Sequence, residues 1–174
     1  MIELSIIRDL VAIFGVIAGF SYYVLTVRAN QRNQELALKA QQLQLETRQA
    51  QLLMQVYNKF DTKEKHHAYT QIWNWQWNDF EDFWTKYGVT ENLENWQILT
   101  SFLAFYEGLG TLVKTSKLPI EEVYLMLGGL TISVWGKFVP ILDEIREQMN
   151  YPRFASETEW LYHELMKYQE TQDN

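Results

Sequence analysis

One uncharged apolar stretch near the start of the chain constrains the fold more strongly than any other feature of the sequence. Residues 10–27 read LVAIFGVIAGFSYYVLTV and contain no charged residue, whereas Arg8 and Asp9 precede them and Arg28 follows them. These eighteen residues, if helical, rise about 27 Å, close to the ~30 Å hydrocarbon thickness of a bilayer. We therefore predict an N-terminal segment with one transmembrane helix over residues 1–28, and the lipid bilayer as a partner.

Two other interpretations of this stretch remain open. A cleaved signal peptide has a basic n-region, a shorter apolar core and a cleavage site with small residues. Here Glu3 and Asp9 accompany Arg8, and the residues that follow the stretch, TVRAN, offer no convincing cleavage site. A buried helix of a water-soluble protein is the other alternative, but such helices are usually shorter and carry polar interruptions.

The basic residues on either side of the stretch predict its orientation. Arg8 precedes it, while Arg28, Arg32, Lys39 and Arg48 follow it. Because cationic flanks are retained in the cytoplasm, we expect a single-pass protein of the cell membrane, with its N-terminus outside and its C-terminal domain in the cytoplasm. The chain contains no cysteine, which fits a cytoplasmic domain, although an exported domain without disulfides would also fit.

Two glycines inside the stretch predict a contact in the membrane. Gly15 and Gly19 form a G-x-x-x-G pair, which makes a flat strip on one helix face and lets a second backbone approach closely. We expect this strip to support self-association or docking on another membrane protein. The alternative is that glycine is simply common in membrane helices.

A helical stalk is predicted over residues 29–60. The chain has neither glycine nor proline between Gly19 and Gly88, so nothing compels the helix to stop at the membrane surface. Two rows with a spacing of seven residues run along the stalk. The first consists of Leu36, Leu43, Ala50 and Tyr57, with Ala40, Thr47 and Met54 between them; the second consists of Leu38, Leu45 and Leu52. One row suits a coiled-coil dimer, whereas two indicate a helix contacted on two sides, in a larger oligomer or by its own domain. A polar spacer helix is the alternative.

The remainder predicts an all-α protein, with a bundle of four to six helices over residues 61–170 and a short tail over 171–174. Residues 61–64 and 156–159 read as capping boxes. We expect helices over residues 62–77, 80–87, 91–115, 120–127, 130–150 and 157–169. The pair Gly128 and Gly129 should end the helix over 120–127, and Thr90 should cap the helix over 91–115. Gly136 and Pro140 should kink the helix over 130–150.

Aromatic side chains are unusually frequent in the bundle. The chain contains seven tryptophans and ten tyrosines, and we single out Trp73, Trp75, Trp77 and Trp135 as an aromatic cluster. Such residues either fill the core of a small helical domain or form an exposed surface that docks a partner or touches lipid headgroups. Both interpretations remain open.

The second half of the chain resembles a domain of unknown function that occurs in small bacterial and archaeal proteins, often behind one N-terminal span. The resemblance is carried by the run FYEGLGTLVKTSKLPIEEVYLMLGG, followed by WGKFVPILDEIR and a terminal aromatic helix, and it covers roughly residues 60–168. The family pattern E-x-L-G, then W and R, falls here on Glu107, Leu109, Gly110, Trp135 and Arg146. The resemblance implies a helical domain and no particular activity.

The sequence contains no constellation typical of an enzyme or a metal site. His66 and His67 are adjacent, so on a helix they point about 100° apart and do not share a metal as an i, i+4 pair does. We therefore predict no catalytic residue, cofactor or metal. For Glu107 we hypothesise an ion pair with Arg146 between two long helices, covered by Trp135; the alternative is an exposed Glu107 and a local Arg146–Asp143 pair.

These features favour a non-enzymatic membrane-anchored module that acts as a scaffold. It would work as a homo-oligomer or as an accessory subunit of a larger membrane complex. The formal charge of −7 argues against nucleic acid as a partner, because an acidic surface is repelled by phosphates. A ligand-responsive signalling protein is the runner-up, and an enzyme with an unrecognised site is the third alternative.

Overall fold

A computed structural model describes residues 2–172 of the chain, and the side chains of residues 4–172. It confirms the predicted fold class: the described residues form helices without strands, with one long N-terminal helix followed by a helical bundle. In chain order the elements are α1 (Ile2–Phe60), α2 (Lys63–Asn74), α3 (Phe80–Tyr87), α4 (Leu93–Lys114), α5 (Ile120–Val123), a π-helical turn (Tyr124–Gly128), α6 (Gly129–Trp135), a 3-10 turn (Val139–Ile141), α7 (Leu142–Gln148) and α8 (Ser156–Gln172).

The first helix contains the predicted span. Its most apolar eighteen-residue window has a mean hydropathy of 2.1, with no residue buried against protein, and it is long and apolar enough to cross a membrane. The bent pair 120–135 and 139–148, taken together, is also long and apolar enough to cross a membrane. Its side chains, however, include Trp135 and Ile145, which lie in the protein core. Burial inside the bundle accounts for the apolar character of that pair.

The chain divides into two compact units, Met1–Arg48 and Gln49–Asn174. The division falls inside the predicted stalk, so the last turns of α1 belong to the second unit, which we call the helical domain. Val56 and Phe60 from these turns are buried in its core. The two terminal residues of the predicted tail lie outside the described part of the chain, and α8 extends through the tail's first two residues.

The core of the helical domain is built on the packing of α4 along α8. Its largest fully buried side chains include Phe83, Tyr106, Trp135 and Phe138. A Cβ added at Gly110 of α4 would overlap the Glu157 carbonyl of α8, whereas a Cβ at Gly108 would meet nothing within 4 Å. The absence of a side chain at Gly110 therefore permits the close approach of the two helices.

Several predicted boundaries are wrong, for local reasons. Helix α2 ends at Asn74 instead of residue 77, and Asn92, rather than Thr90, caps α4 by accepting from the backbone N–H of Asn95. Gly128 and Gly129 do not interrupt the helix, because both adopt right-handed helical backbone angles. Helix α5 therefore continues through the π-helical turn into α6.

The predicted kink is confirmed. The helical segments before and after residues 136–138 are bent by 47° relative to each other. Proline and glycine explain the bend, because Pro140 lacks a backbone N–H for helical hydrogen bonding and Gly136 ends α6.

The two helical glycines of α4 provide a matched test of the α4–α8 packing. We expect Gly110→Ala to lower the free energy of unfolding by about 1–3 kcal/mol, because the methyl group must displace backbone. Gly108→Ala should raise it by about 0.5–1 kcal/mol, because alanine is the better helix former and its methyl enters open space. Urea unfolding can be followed by tryptophan fluorescence, since every tryptophan lies between residues 73 and 160. Equal effects of the two substitutions would contradict the packing role.

Candidate functional site

The glycine strip of the span is open on its helix surface. A Cβ added at Gly15 or at Gly19 would meet no atom within 4 Å. The large apolar side chains elsewhere in the span, such as Phe14 at 69% and Phe20 at 67%, are also exposed. The structure thus leaves the whole surface of the span available to lipid or to another helix.

The two leucine rows of the stalk have different surroundings. In the first compact unit, Leu36, Leu43, Leu38 and Leu45 are all more than half exposed. Within the helical domain the rows diverge, because Leu52 packs against the core. The other residues of α1 that pack there are Leu53, Val56 and Phe60.

The first row stays exposed even where α1 belongs to the helical domain. Ala50, Met54 and Tyr57 are exposed there. At about 100° per residue, the centre of this set lies roughly 110° around the helix from the face that packs on the core. The domain therefore contacts α1 on the side of the second row and leaves the side of the first row uncovered.

The predicted tryptophan cluster is only partly assembled. Trp77 and Trp135 both contact the ring of Phe138, at 5.4 Å and 5.9 Å between ring centroids. Trp75 stacks on Tyr87 at 4.2 Å, and the same tyrosine contacts Trp77. Trp73 lies apart from this group and stacks on Tyr69.

Lys137 organises the segment that follows α2, and sequence reasoning missed it. Its Nζ donates to the backbone carbonyls of Ile72, Trp73 and Trp75 at 3.1, 2.7 and 2.6 Å, and it lies 5.3 Å from the centroid of the Trp77 ring. A cation at a helix C-terminus satisfies carbonyls that have no intrahelical donor. Burial lowers the pKa of Lys137, while the three acceptors favour its charged form. The one sequence feature that could have drawn attention to Lys137 is its position in the run WGKF, which is part of the resemblance described above.

An open cleft of about 700 Å³ lies beside this lysine. Its walls combine indole rings, side-chain amides and two ammonium groups, from Trp73, Trp75, Gln76, Trp77, Asn78, Lys86 and Lys137. Lys86 is held by Asp82 at 2.8 Å and by the Gln76 carbonyl at 3.3 Å. Both ammonium groups are therefore engaged with the protein itself, and Nδ2 of Asn78 likewise donates to Asp82 at 3.1 Å.

The hypothesised Glu107–Arg146 ion pair is wrong. Oε1 of Glu107 instead accepts from the backbone N–H of Thr158 at 2.7 Å and from its hydroxyl at 2.9 Å. Thr158 lies in the first turn of α8, where backbone N–H groups have no intrahelical acceptor and the helix dipole favours a negative charge. Glu107 is therefore a cap that α4 supplies to α8.

Arg146 holds the same end of α8 from another side. Its guanidinium pairs with Glu159 at 2.7 Å and with Asp143 at 3.2 Å, and its Nε donates to the Phe154 carbonyl at 3.2 Å. Trp135 does not cover an ion pair; it is 1% exposed, and its indole N–H has no hydrogen-bond partner within the described structure. Glu107 and Gly110 of α4 and Arg146 of α7 thus position the start of α8.

The histidines of α2 do not form a metal site in this geometry. Nε2 of His66 lies 2.9 Å from a carboxylate oxygen of Asp61, and its ring contacts Phe60. Among residues 2–172, no three histidine, cysteine or acidic side chains come together as metal ligands.

Comparison with known proteins gives a family and no activity. The family model described as "Domain of unknown function (DUF4760)" matches residues 10–165, which includes the span, the stalk and most of the helical domain. No curated protein and no solved structure matches the chain.

Substitutions at Glu107 separate a helix cap from an ion pair. Glu107→Gln keeps an oxygen acceptor for Thr158 and removes the charge at the helix end, so we expect a loss of about 0.5–1 kcal/mol in unfolding free energy. Glu107→Ala leaves the Thr158 N–H without its acceptor and should cost about 1–3 kcal/mol. In a double-mutant cycle with Arg146→Met, the coupling energy should stay below about 0.5 kcal/mol. A larger coupling energy would instead support an ion pair between Glu107 and Arg146.

The role of Lys137 can be tested against a neighbouring lysine. Lys137→Met preserves the aliphatic stem and leaves three carbonyls without their donor, so we expect a loss of about 1–3 kcal/mol and a red shift of tryptophan emission. Lys86→Met removes a partly exposed ion pair and should cost less than about 1 kcal/mol. Urea unfolding of the two variants gives the comparison, and equal losses would contradict the role of Lys137.

Proposed function

We propose that this chain, which belongs to the family described as domain of unknown function DUF4760, is a membrane-anchored, non-enzymatic interaction module. It is held in the cell membrane by one span, with its N-terminus outside and its helical domain in the cytoplasm. It acts as a scaffold by self-association or as an accessory subunit of a larger membrane complex.

The uncovered apolar surface of α1 is the observation that carries this proposal. The span has no residue buried against protein, and four stalk leucines beyond it are exposed as well, namely Leu36, Leu38, Leu43 and Leu45. A water-soluble monomer rarely exposes a contiguous apolar patch of more than a few hundred Å². The span therefore favours lipid as its surroundings, and the stalk favours a protein partner.

The mass of the full-length protein tests this function. After extraction from its own host in a mild detergent, we expect a discrete homo-oligomer or a stoichiometric complex with a larger membrane protein. If the oligomer forms through the span, Gly15→Leu with Gly19→Leu should dissociate it, whereas Ser21→Leu adds a leucine on another side of the helix and should not. A monomer without a companion would contradict both forms of the proposal.

A ligand-responsive protein is the second candidate, and the cleft beside Lys137 favours it. Aromatic walls with a few convergent polar groups are typical of small-molecule sites. Tryptophan emission should then shift on addition of one compound from a set of polar metabolites, and the shift should disappear in Trp77→Leu. A monomer that shows such a shift would favour this candidate over the interaction module.

A further inference from the structure

We infer that two copies of this chain associate in parallel and in register along one heptad seam that runs from the span into the stalk. The inference rests on the proposed membrane anchoring and names the partner, a second copy. Counting back by sevens from the first stalk row continues the same two heptad positions through the span. The seam consists of Ala12, Gly15, Gly19, Tyr22, Thr26, Ala29, Asn33, Leu36, Ala40, Leu43 and Thr47.

The residue types of the seam change where the surroundings would change. In the span, four of the five seam positions are small, namely Ala12, Gly15, Gly19 and Thr26. Small residues are what helix pairs need in lipid, because close backbone packing replaces the missing hydrophobic drive. In the stalk the seam acquires Leu36 and Leu43, the residue type that drives coiled-coil pairing in water.

The opposite face of the span shows that this is more than a general abundance of small residues. Of the eight span positions on the outer side of the same heptad register, Ser21 is the one exception to a large apolar residue. The other seven are Leu10, Ile13, Phe14, Ile17, Phe20, Val24 and Val27. The span therefore has one small face and one bulky face. The bulky face suits lipid chains, and the small face suits a second helix.

The seam is exposed over its whole length in the structure. Tyr22, Leu36 and Leu43 are 74%, 55% and 64% exposed, and added Cβ atoms at both glycines meet nothing. The seam also has no charged residue, although the helix carries several between residues 28 and 48. Burying this face would therefore desolvate no charge.

Two polar residues in the seam are compatible with burial. The Thr47 hydroxyl donates to the carbonyl of Leu43 at 2.8 Å, so it needs no partner across an interface. Asn33 occupies an inner position of the kind at which a single asparagine selects two strands and a defined register in coiled coils. In an in-register pair, Asn33 would face its own copy.

The extent and the direction of the seam fit a dimer. Thirty-six residues rise about 54 Å, and a strip of roughly 10 Å width on each helix would bury on the order of 1,000 Å², the lower range of specific interfaces. Copies inserted into one membrane by the same charge asymmetry share an orientation, so the pair is parallel. The alternating spacing of three and four residues gives a left-handed crossing of about 20°, unlike the right-handed crossing of an isolated G-x-x-x-G pair.

Single cysteines test the seam cleanly, because the chain has none of its own. In native membranes under mild oxidation, we expect Leu36→Cys and Leu43→Cys to give at least five times more disulfide-linked dimer than Leu38→Cys and Leu45→Cys. The two pairs match in residue type, spacing and exposure, and differ only in the row to which they belong. Equal cross-linking in both rows, or cross-linking in the second row alone, would overturn the inference.

The continuity of the seam across the membrane surface needs a second measurement. Gly15→Leu with Gly19→Leu should lower the cross-linking of Leu43→Cys several-fold, whereas Ser21→Leu should leave it unchanged. Unaltered tryptophan emission would show that the helical domain remains folded in each variant. Undiminished cross-linking in the double glycine variant would overturn the continuous seam.

These outcomes are distinguishable from a failure of the proposed function. A discrete complex with a larger membrane protein, without cross-linking at the first row, overturns the self-pairing seam and leaves the interaction module in place. A monomer without a companion overturns both.

Discussion

The helical domain depends on how the first turn of α8 is held. Backbone N–H groups at a helix start have no intrahelical acceptor, and burying them unpaired is costly. Glu107 supplies the acceptor from α4, Gly110 allows the two backbones to come close, and Arg146 binds Glu159 and the preceding carbonyl of Phe154. Two helices, α4 and α7, therefore converge on one helix end. This convergence gives Glu107, Gly110 and Arg146 a structural role without assigning them chemistry.

A side chain that binds a helix end also orders the aromatic segment after α2. The backbone leaves its helix at Asn74, and the carbonyls released there are collected by the single ammonium group of Lys137. Trp75 and Trp77 then pack through Tyr87 and Phe138. The aromatic cleft is thus a consequence of one helix end and of the lysine that satisfies it.

The elements that could be predicted are those with strong local signals. The long first helix follows from the absence of glycine and proline after Gly19. The bounds of α3 match their prediction because Asp79 directly precedes the helix as its N-cap and Gly88 directly follows it. The partner of Glu107 could not be predicted, because Thr158 is 51 residues away and contributes a backbone N–H, which every residue type carries. The acceptors of Lys137 are likewise backbone carbonyls. Every residue has one, so the residue types do not reveal which carbonyls Lys137 binds. The oligomeric role of the stalk stays a prediction.

The π-helical turn over Tyr124–Gly128 joins α5 to α6 and changes the angle around the helix axis at which α6 follows α5. Because each turn of a π-helix takes up more residues than an α-helical turn, it alters the angular position of everything that follows. Gly128 accommodates it by leaving space for the Tyr124 ring, which would lie 2.6 Å from an added Cβ. Val123 before the turn and Trp135 after it are then both buried, while Leu125 within it is 82% exposed. The buried side of the segment thus continues across the wide turn, from Val123 through Leu127 to Trp135, while Leu125 points to the surface.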